Sequence, residues 1–101
     1  MDHFVLEKQI EARLVKGVKA LGGRAYKWVS PGNIGVPDRV VVLPGGHVEF
    51  VELKTERGRL SKSQIVQIER LAKLDQHVSV LYGAEEVDRY LKEIANEIHT
   101  P

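Results

Sequence analysis

The chain has 101 residues, 43% of them hydrophobic, no cysteine and a formal net charge of +1. That size predicts a single domain over 1–101 with one core, and the missing cysteines exclude a disulfide framework or a thiolate metal site. The near-neutral total conceals an asymmetry: residues 13–62 hold ten Lys or Arg against four Asp or Glu, whereas the remainder hold five against ten. A basic middle between acidic ends is what a nucleic-acid face on a nearly neutral protein would produce, and plain solvated surface produces it as well. The first residues, Met1 to Lys8, lack the basic and apolar regions of a signal peptide, and no apolar run reaches membrane-spanning length. A soluble, cytoplasmic protein is expected, with no membrane partner. Small domains bury a modest fraction of their surface, so association into a homo-oligomer is expected too.

Apolar Leu6, Ile10, Leu14, Val18 and Leu21 recur at helical spacing and are followed by Gly22-Gly23, predicting a helix over 4–21 with a left-handed cap. Ala25 to Val29 reads as a short strand, and Ser30-Pro31-Gly32-Asn33 as a turn. The β-branched run Val40 to Leu43, the tight turn Pro44-Gly45-Gly46 and the run Val48 to Lys54 predict a hairpin. Ser61 stands three residues before Gln64, the spacing of a capping box, and Ile65, Ile68, Leu71 and Ala72 carry a second helix to about Leu74. Val78 to Tyr82 is a short strand, and Val87, Leu91, Ile94 and Ile98 mark a last helix with a charged outer face. The order αβββαβα predicts an α/β fold with a mixed sheet flanked by helices, and the helix count suggests cover on both sides. No internal repeat or low-complexity tract interrupts it.

Chemistry concentrates on the second hairpin strand. Side chains alternate along a strand, so Phe50, Glu52 and Lys54 share one face and Val51 and Leu53 the other. An acid and an amine pointing into a covered face are costly unless paired or metal-bound, whereas on an open face they are an ordinary ion pair. Asp38 begins the preceding strand, and closure at Pro44-Gly45-Gly46 folds it back to within reach of Glu52 and Lys54. Two converging carboxylates beside an amine are the parts that hold a hard divalent cation and handle a phosphodiester. An all-oxygen donor set suits Mg²⁺ or Mn²⁺, and the scattered His3, His47, His77 and His99 supply no zinc cluster.

These residues carry a resemblance. Gly35-Val36-Pro37-Asp38, then Glu52-Leu53-Lys54 after thirteen intervening residues, then Leu60-Ser61-Lys62-Ser63-Gln64, resemble the VRR-NUC family of PD-(D/E)xK nucleases. Gly22-Gly23, Lys27-Trp28, Ser30-Pro31-Gly32 and Pro44-Gly45-Gly46 fit its stand-alone phage and bacterial members, over about residues 6–91. The resemblance implies a restriction-endonuclease-like core, αβββαβ(α), and a Mg²⁺- or Mn²⁺-dependent endodeoxyribonuclease. It implies Asp38, Glu52 and the Leu53 carbonyl as metal ligands, Lys54 as catalytic, and Gln64 in the active site. It further implies structure-selective cleavage of branched DNA by a homodimer, in the manner of a Holliday-junction resolvase, in a phage-infected or bacterial cytoplasm. The competing reading is a DNA-binding module without turnover, or a nuclease subunit that needs a partner protein.

The family pattern usually adds a glutamate on the first helix. Glu7 lies within the angular span of the apolar stripe and Glu11 at its edge, and Glu11 is the favoured candidate. Gln64 has a second explanation, since it also completes the capping box with Ser61. Arg57, Arg59 and Lys62 follow the Glu52-Leu53-Lys54 strand and are candidate DNA-backbone contacts, with Arg39, Lys27 and Arg24 behind them; all six also read as solvated charges. Tyr26 and Trp28 read as core or dimer contacts rather than base-stacking groups. Asp75-Gln76-His77 stands where a glycine is expected before the last strand, and with no GxxxxGK[ST] loop the sequence gives no support to a nucleotide-driven motor.

Overall fold

The computed structural model describes residues 3–99, with side chains from Glu7 onward. Its elements follow the expected order: α1 (His3–Ala20), β1 (Arg24–Lys27), β2 (Arg39–Leu43), β3 (His47–Lys54), α2 (Lys62–Lys73), β4 (Val78–Tyr82) and α3 (Gly83–His99). Along α1, Ile10, Leu14 and Val18 are buried and Leu21 packs beside them; Leu6 lies outside the described side chains. Gly22, at φ 85°, stops the helix. The N–H of Gly23 bonds to the Val18 carbonyl and that of Gly22 to the Lys19 carbonyl, so the last carbonyls of the helix are satisfied before the chain turns into β1.

The sheet runs β1-β2-β3-β4, antiparallel through the first three strands and parallel between β3 and β4. The hairpin pairs Leu43 with His47, which leaves Pro44, Gly45 and Gly46 as its loop. Both of these glycines have positive φ, which is why no side chain is carried there. β1 is shorter than the predicted strand and ends at Lys27, but its ladder persists one step further: the Trp28 N–H donates to the Asp38 carbonyl at 2.9 Å.

Alternation sorts the sheet into two unlike faces. Val41, Leu43, Val51, Leu53 and Leu81 point to one side and are buried beneath α1 and α3 with Val87, Tyr90 and Ile94. Each such side chain contributes about 1.5–3 kcal/mol relative to exposure. The opposite face is not covered as the helix count suggested. Helix α2 packs on β4, and Tyr26, Val42 and Val48 remain exposed towards the β1 side. The reason lies in α2 itself, which has no buried residue and sits at one border of the sheet.

The turn after α2 solves its missing glycine with an aspartate. Asp75 takes φ 61°, its N–H bonds to the Ala72 carbonyl, and the Gln76 N–H reaches back to the Leu71 carbonyl. Aspartate enters the left-handed region at a lower cost than most side chains, but glycine enters it freely. Asp75→Gly is therefore expected to raise stability by up to about 1 kcal/mol in chemical denaturation; a loss of stability would mean that the Asp75 side chain has another role.

Candidate active site

Sheet register alone brings the two acids together. Val40 pairs with Phe50 and Arg39 with Val51, so continuing the same ladder sets Asp38 opposite Glu52 on the face away from the core. Pro37, fully buried, precedes Asp38 and has no N–H to offer β3. Proline therefore cannot donate to the Leu53 carbonyl, while the Leu53 N–H donates to the Asp38 carboxylate at 2.9 Å. A strand residue directs its N–H and its C=O to the same side, so the Leu53 carbonyl also faces Asp38. Asp38 is thereby fixed at both ends, through its backbone carbonyl to Trp28 and through its carboxylate to β3.

Glu52 is the unusual group. It is 2% exposed, with the Lys54 Nζ 3.5 Å from its Oε2 and the Gln64 Nε2 donating to the same oxygen at 3.0 Å. Its other oxygen, Oε1, is buried and has no hydrogen-bond partner. Burial, and then the Asp38 charge, push the Glu52 carboxyl up to about 7, against the opposing pull of Lys54. A buried carboxylate with an unpartnered oxygen beside a second carboxylate is a site short of positive charge.

Gln64 both caps α2 and reaches Glu52. Its Oε1 accepts the Ser61 N–H at 2.8 Å, while the Ser61 Oγ accepts the Gln64 N–H, completing the capping box of α2. Its Nε2 is left to donate to Glu52. The N-terminus of α2 is in turn placed by Gly35, at φ 92°, where a Cβ would fall 2.5 Å from the Ser63 carbonyl and 2.7 Å from the Gln64 nitrogen. Gly58 does the same for the amine: a Cβ there would lie 3.1 Å from the Lys54 Cβ, so the loop bearing Arg57 and Arg59 folds against the Lys54 stem.

With this geometry in view, the likenesses to known proteins are specific. The VRR-NUC domain profile matches residues 3–85. The chain belongs to the VRR-NUC family. It is 46% identical over 78 residues to "Putative nuclease p44" of Acyrthosiphon pisum secondary endosymbiont phage 1, covering 77% of this chain and 84% of that one. A solved VRR-NUC domain superposes with a TM-score of 0.81 at 31% identity, covering 85% of this chain and 94% of the other. The mixed four-stranded sheet flanked by helices is the restriction-endonuclease-like fold, and the chain is a nuclease domain of the VRR-NUC family.

The candidate site gathers Asp38, Glu52, Lys54 and Gln64, and it does not gather every acid the sequence nominated. Glu11 is bound to Arg39, whose Nη1 also donates to the Ala25 carbonyl at 3.0 Å. Glu7 is exposed, and among the described residues no group of three or more His, Asp or Glu has the geometry to hold a metal. Arg39 is thus committed to α1 and β1, whereas Lys27, Arg57, Arg59 and Lys62 are exposed and make no ion pair among the described residues. Sequence reading missed a second buried acid, Glu49, which accepts from the Tyr90 hydroxyl at 2.8 Å on the core side of the sheet. Burial first, and the Glu49 charge next, raise the Tyr90 hydroxyl above its ordinary range. The signal was present in the alternation, which puts Glu49 on the face of Val51 and Leu53.

Two consequences are measurable in the metal-free protein. Because the Glu52 carboxyl titrates near 7 folded and near 4.5 unfolded, the native state binds more protons between those values, so its stability falls as pH rises through that window. The loss is of the order of 3 kcal/mol by pH 8, and Glu52→Gln should abolish it; urea denaturation at pH 5 and pH 8 giving the same pH dependence in both proteins would contradict the placement. Gln64→Glu keeps a capping-box acceptor but turns a donor to Glu52 into a second carboxylate. Helix content by circular dichroism should hold while stability at pH 8 drops by about 1–3 kcal/mol.

Proposed function

We propose that the domain is a metal-dependent endonuclease that hydrolyses phosphodiester bonds in branched DNA and acts as a homodimer on four-way junctions. The observation that carries the proposal is the Glu52 carboxylate, 2% exposed with Oε1 unpartnered, facing Asp38 and Lys54. Without a cation that arrangement is destabilising, and with one it is satisfied.

Carboxylates from Asp38 and Glu52 and the Leu53 carbonyl form an all-oxygen donor set, which suits Mg²⁺ or Mn²⁺. Such an ion supplies charge neutralisation at the scissile phosphate and acidifies water. Gln64 holds Glu52 in its rotamer from one side, and Asp38 is held by the Leu53 N–H. Lys54 stands next to Glu52 with its stem packed under Gly58, so its ammonium is positioned to donate a hydrogen bond to the attacking water or to charge developing on phosphorus. Arg57, Arg59, Lys62 and Lys27 provide unpaired cations for backbone phosphates around it. Dimer formation is supported by the uncovered apolar strip of Tyr26, Val42 and Val48, which a two-fold copy would bury while presenting two sites to two strands.

Labelled four-way junction, flap and linear duplex incubated side by side with Mg²⁺ or Mn²⁺ test the reading. Paired incisions in the junction are expected, with Asp38→Ala and Lys54→Ala each lowering the rate by about 10²-fold or more. Thermal melting separates the two roles: Mg²⁺ should stabilise wild type and Lys54→Ala at pH 8 but leave Asp38→Ala unchanged. Variants that cut as fast as wild type, or equal metal stabilisation in Asp38→Ala, would place the chemistry elsewhere.

A further inference from the structure

The two most exposed large apolar side chains among the described residues, Ile34 at 81% and Val29 at 71%, sit on the same loop, the one between β1 and Asp38. Single apolar groups on a surface are ordinary, but this loop is a held one. The Asn33 N–H and Nδ2 donate to the Ser30 carbonyl and Oγ at 3.0 and 2.9 Å. The Gln67 Nε2 donates to the Ile34 carbonyl at 3.4 Å, Gly35 abuts the backbone of Ser63, and Pro37 is fully buried. Ile34 is therefore fixed in water by its neighbours on both sides, with no packing of its own to explain it.

Its position gives it a use. Ile34 precedes Asp38 by four residues, and the residue after it packs on the helix whose Gln64 holds Glu52. Lys62, at the start of that helix, makes no ion pair among the described residues. A cation there is rewarded by the phosphates of any duplex, but an intact duplex offers an isoleucine only scattered thymine methyls in the major groove and no exposed base face. An opened base step does, because apolar side chains enter such steps against the base faces.

We propose that Ile34, with Val29 exposed on the same loop, is an apolar wedge that enters the unstacked base step at the branch point of the DNA and so selects branched over continuous duplex. The inference rests on the nuclease reading above and assigns the residue that sets its specificity. An exposed isoleucine on a loop held by hydrogen bonds makes insertion possible without a further ordering step.

The test uses the full chain and a four-way junction carrying 2-aminopurine at the branch point, whose fluorescence rises when the base unstacks. In an Asp38→Asn background, binding should raise the signal several-fold; adding Ile34→Ser should remove most of the rise, and adding Ile34→Phe should keep it. In the cleavage-competent chain, Ile34→Ser should lower the ratio of junction to linear-duplex cutting about tenfold, with an unchanged melting temperature as the control for folding. An equal fluorescence rise and an equal ratio in Ile34→Ser overturn the wedge. A chain that cuts no DNA but still shows the Ile34-dependent rise removes the nuclease reading and leaves the wedge standing. Binding without any rise, or no binding at all, overturns the wedge whether or not DNA is cut.

Discussion

A carboxylate removed from water must find donors or cations equal to its charge, and Glu52 finds only some of them. Lys54 and Gln64 share its Oε2, its Oε1 has none, and Asp38 adds repulsion from across the ladder. Much of the surrounding structure serves to keep this unfavourable arrangement in place. Pro37 lacks the N–H that would have extended the β2–β3 ladder to the Leu53 carbonyl, and the Leu53 N–H is held by the Asp38 carboxylate. The tight hairpin sets the register that puts position 38 opposite position 52. Such strain is tolerated because the far face of the same strand is anchored by Val51 and Leu53 in the core.

The α2 N-terminus shows how one side chain couples folding to the site. Capping needs an acceptor three residues after Ser61, and a glutamate would meet that need as well as a glutamine. Only the glutamine also has a donor to turn towards Glu52. The choice of amide over acid at position 64 thus reflects the buried charge rather than the helix. Gly35 extends the same chain of contacts outward, since its missing Cβ lets the loop before Asp38 rest directly on the Ser63 and Gln64 backbone.

Local pattern made most of this readable from residues alone. The alternation of β3 predicted that Glu52 and Lys54 share a face, and the Pro44-Gly45-Gly46 turn predicted that Asp38 reaches them, because both follow from strand geometry without knowledge of tertiary packing. What escaped depended on partners distant in sequence. Alternation placed Glu49 on the core face, but the group that satisfies it there, Tyr90, lies 41 residues away on α3 and could not be paired with it from sequence. Glu11 and Glu7 differ by one helical turn, and spacing on the helix could not reveal that Arg39 would claim Glu11. The missing glycine after α2 was a substitution of residue type only, since Asp75 adopts the same left-handed conformation. Cover on the second sheet face was overestimated because a count of helices says nothing of where each one lies.

That uncovered face has a physical logic of its own. A chain of this length buries a smaller fraction of its surface than a larger domain and gains little margin from its core, so leaving Tyr26, Val42 and Val48 exposed gives up apolar burial it could use. The same face, however, carries Asp38, Glu52 and Lys54, and under the proposed function a polyanionic substrate and its cations would reach them only if no helix lay across β1 to β3. Moving α2 towards the middle of the sheet would bury the valines and close the site together. Helix α2 instead stands at the β4 border, near enough for Gln64 to bind Glu52 and far enough to leave the approach open. The lost burial is recoverable from outside the chain, by a second copy on the strip around Tyr26, which would restore apolar contact without obstructing the carboxylates.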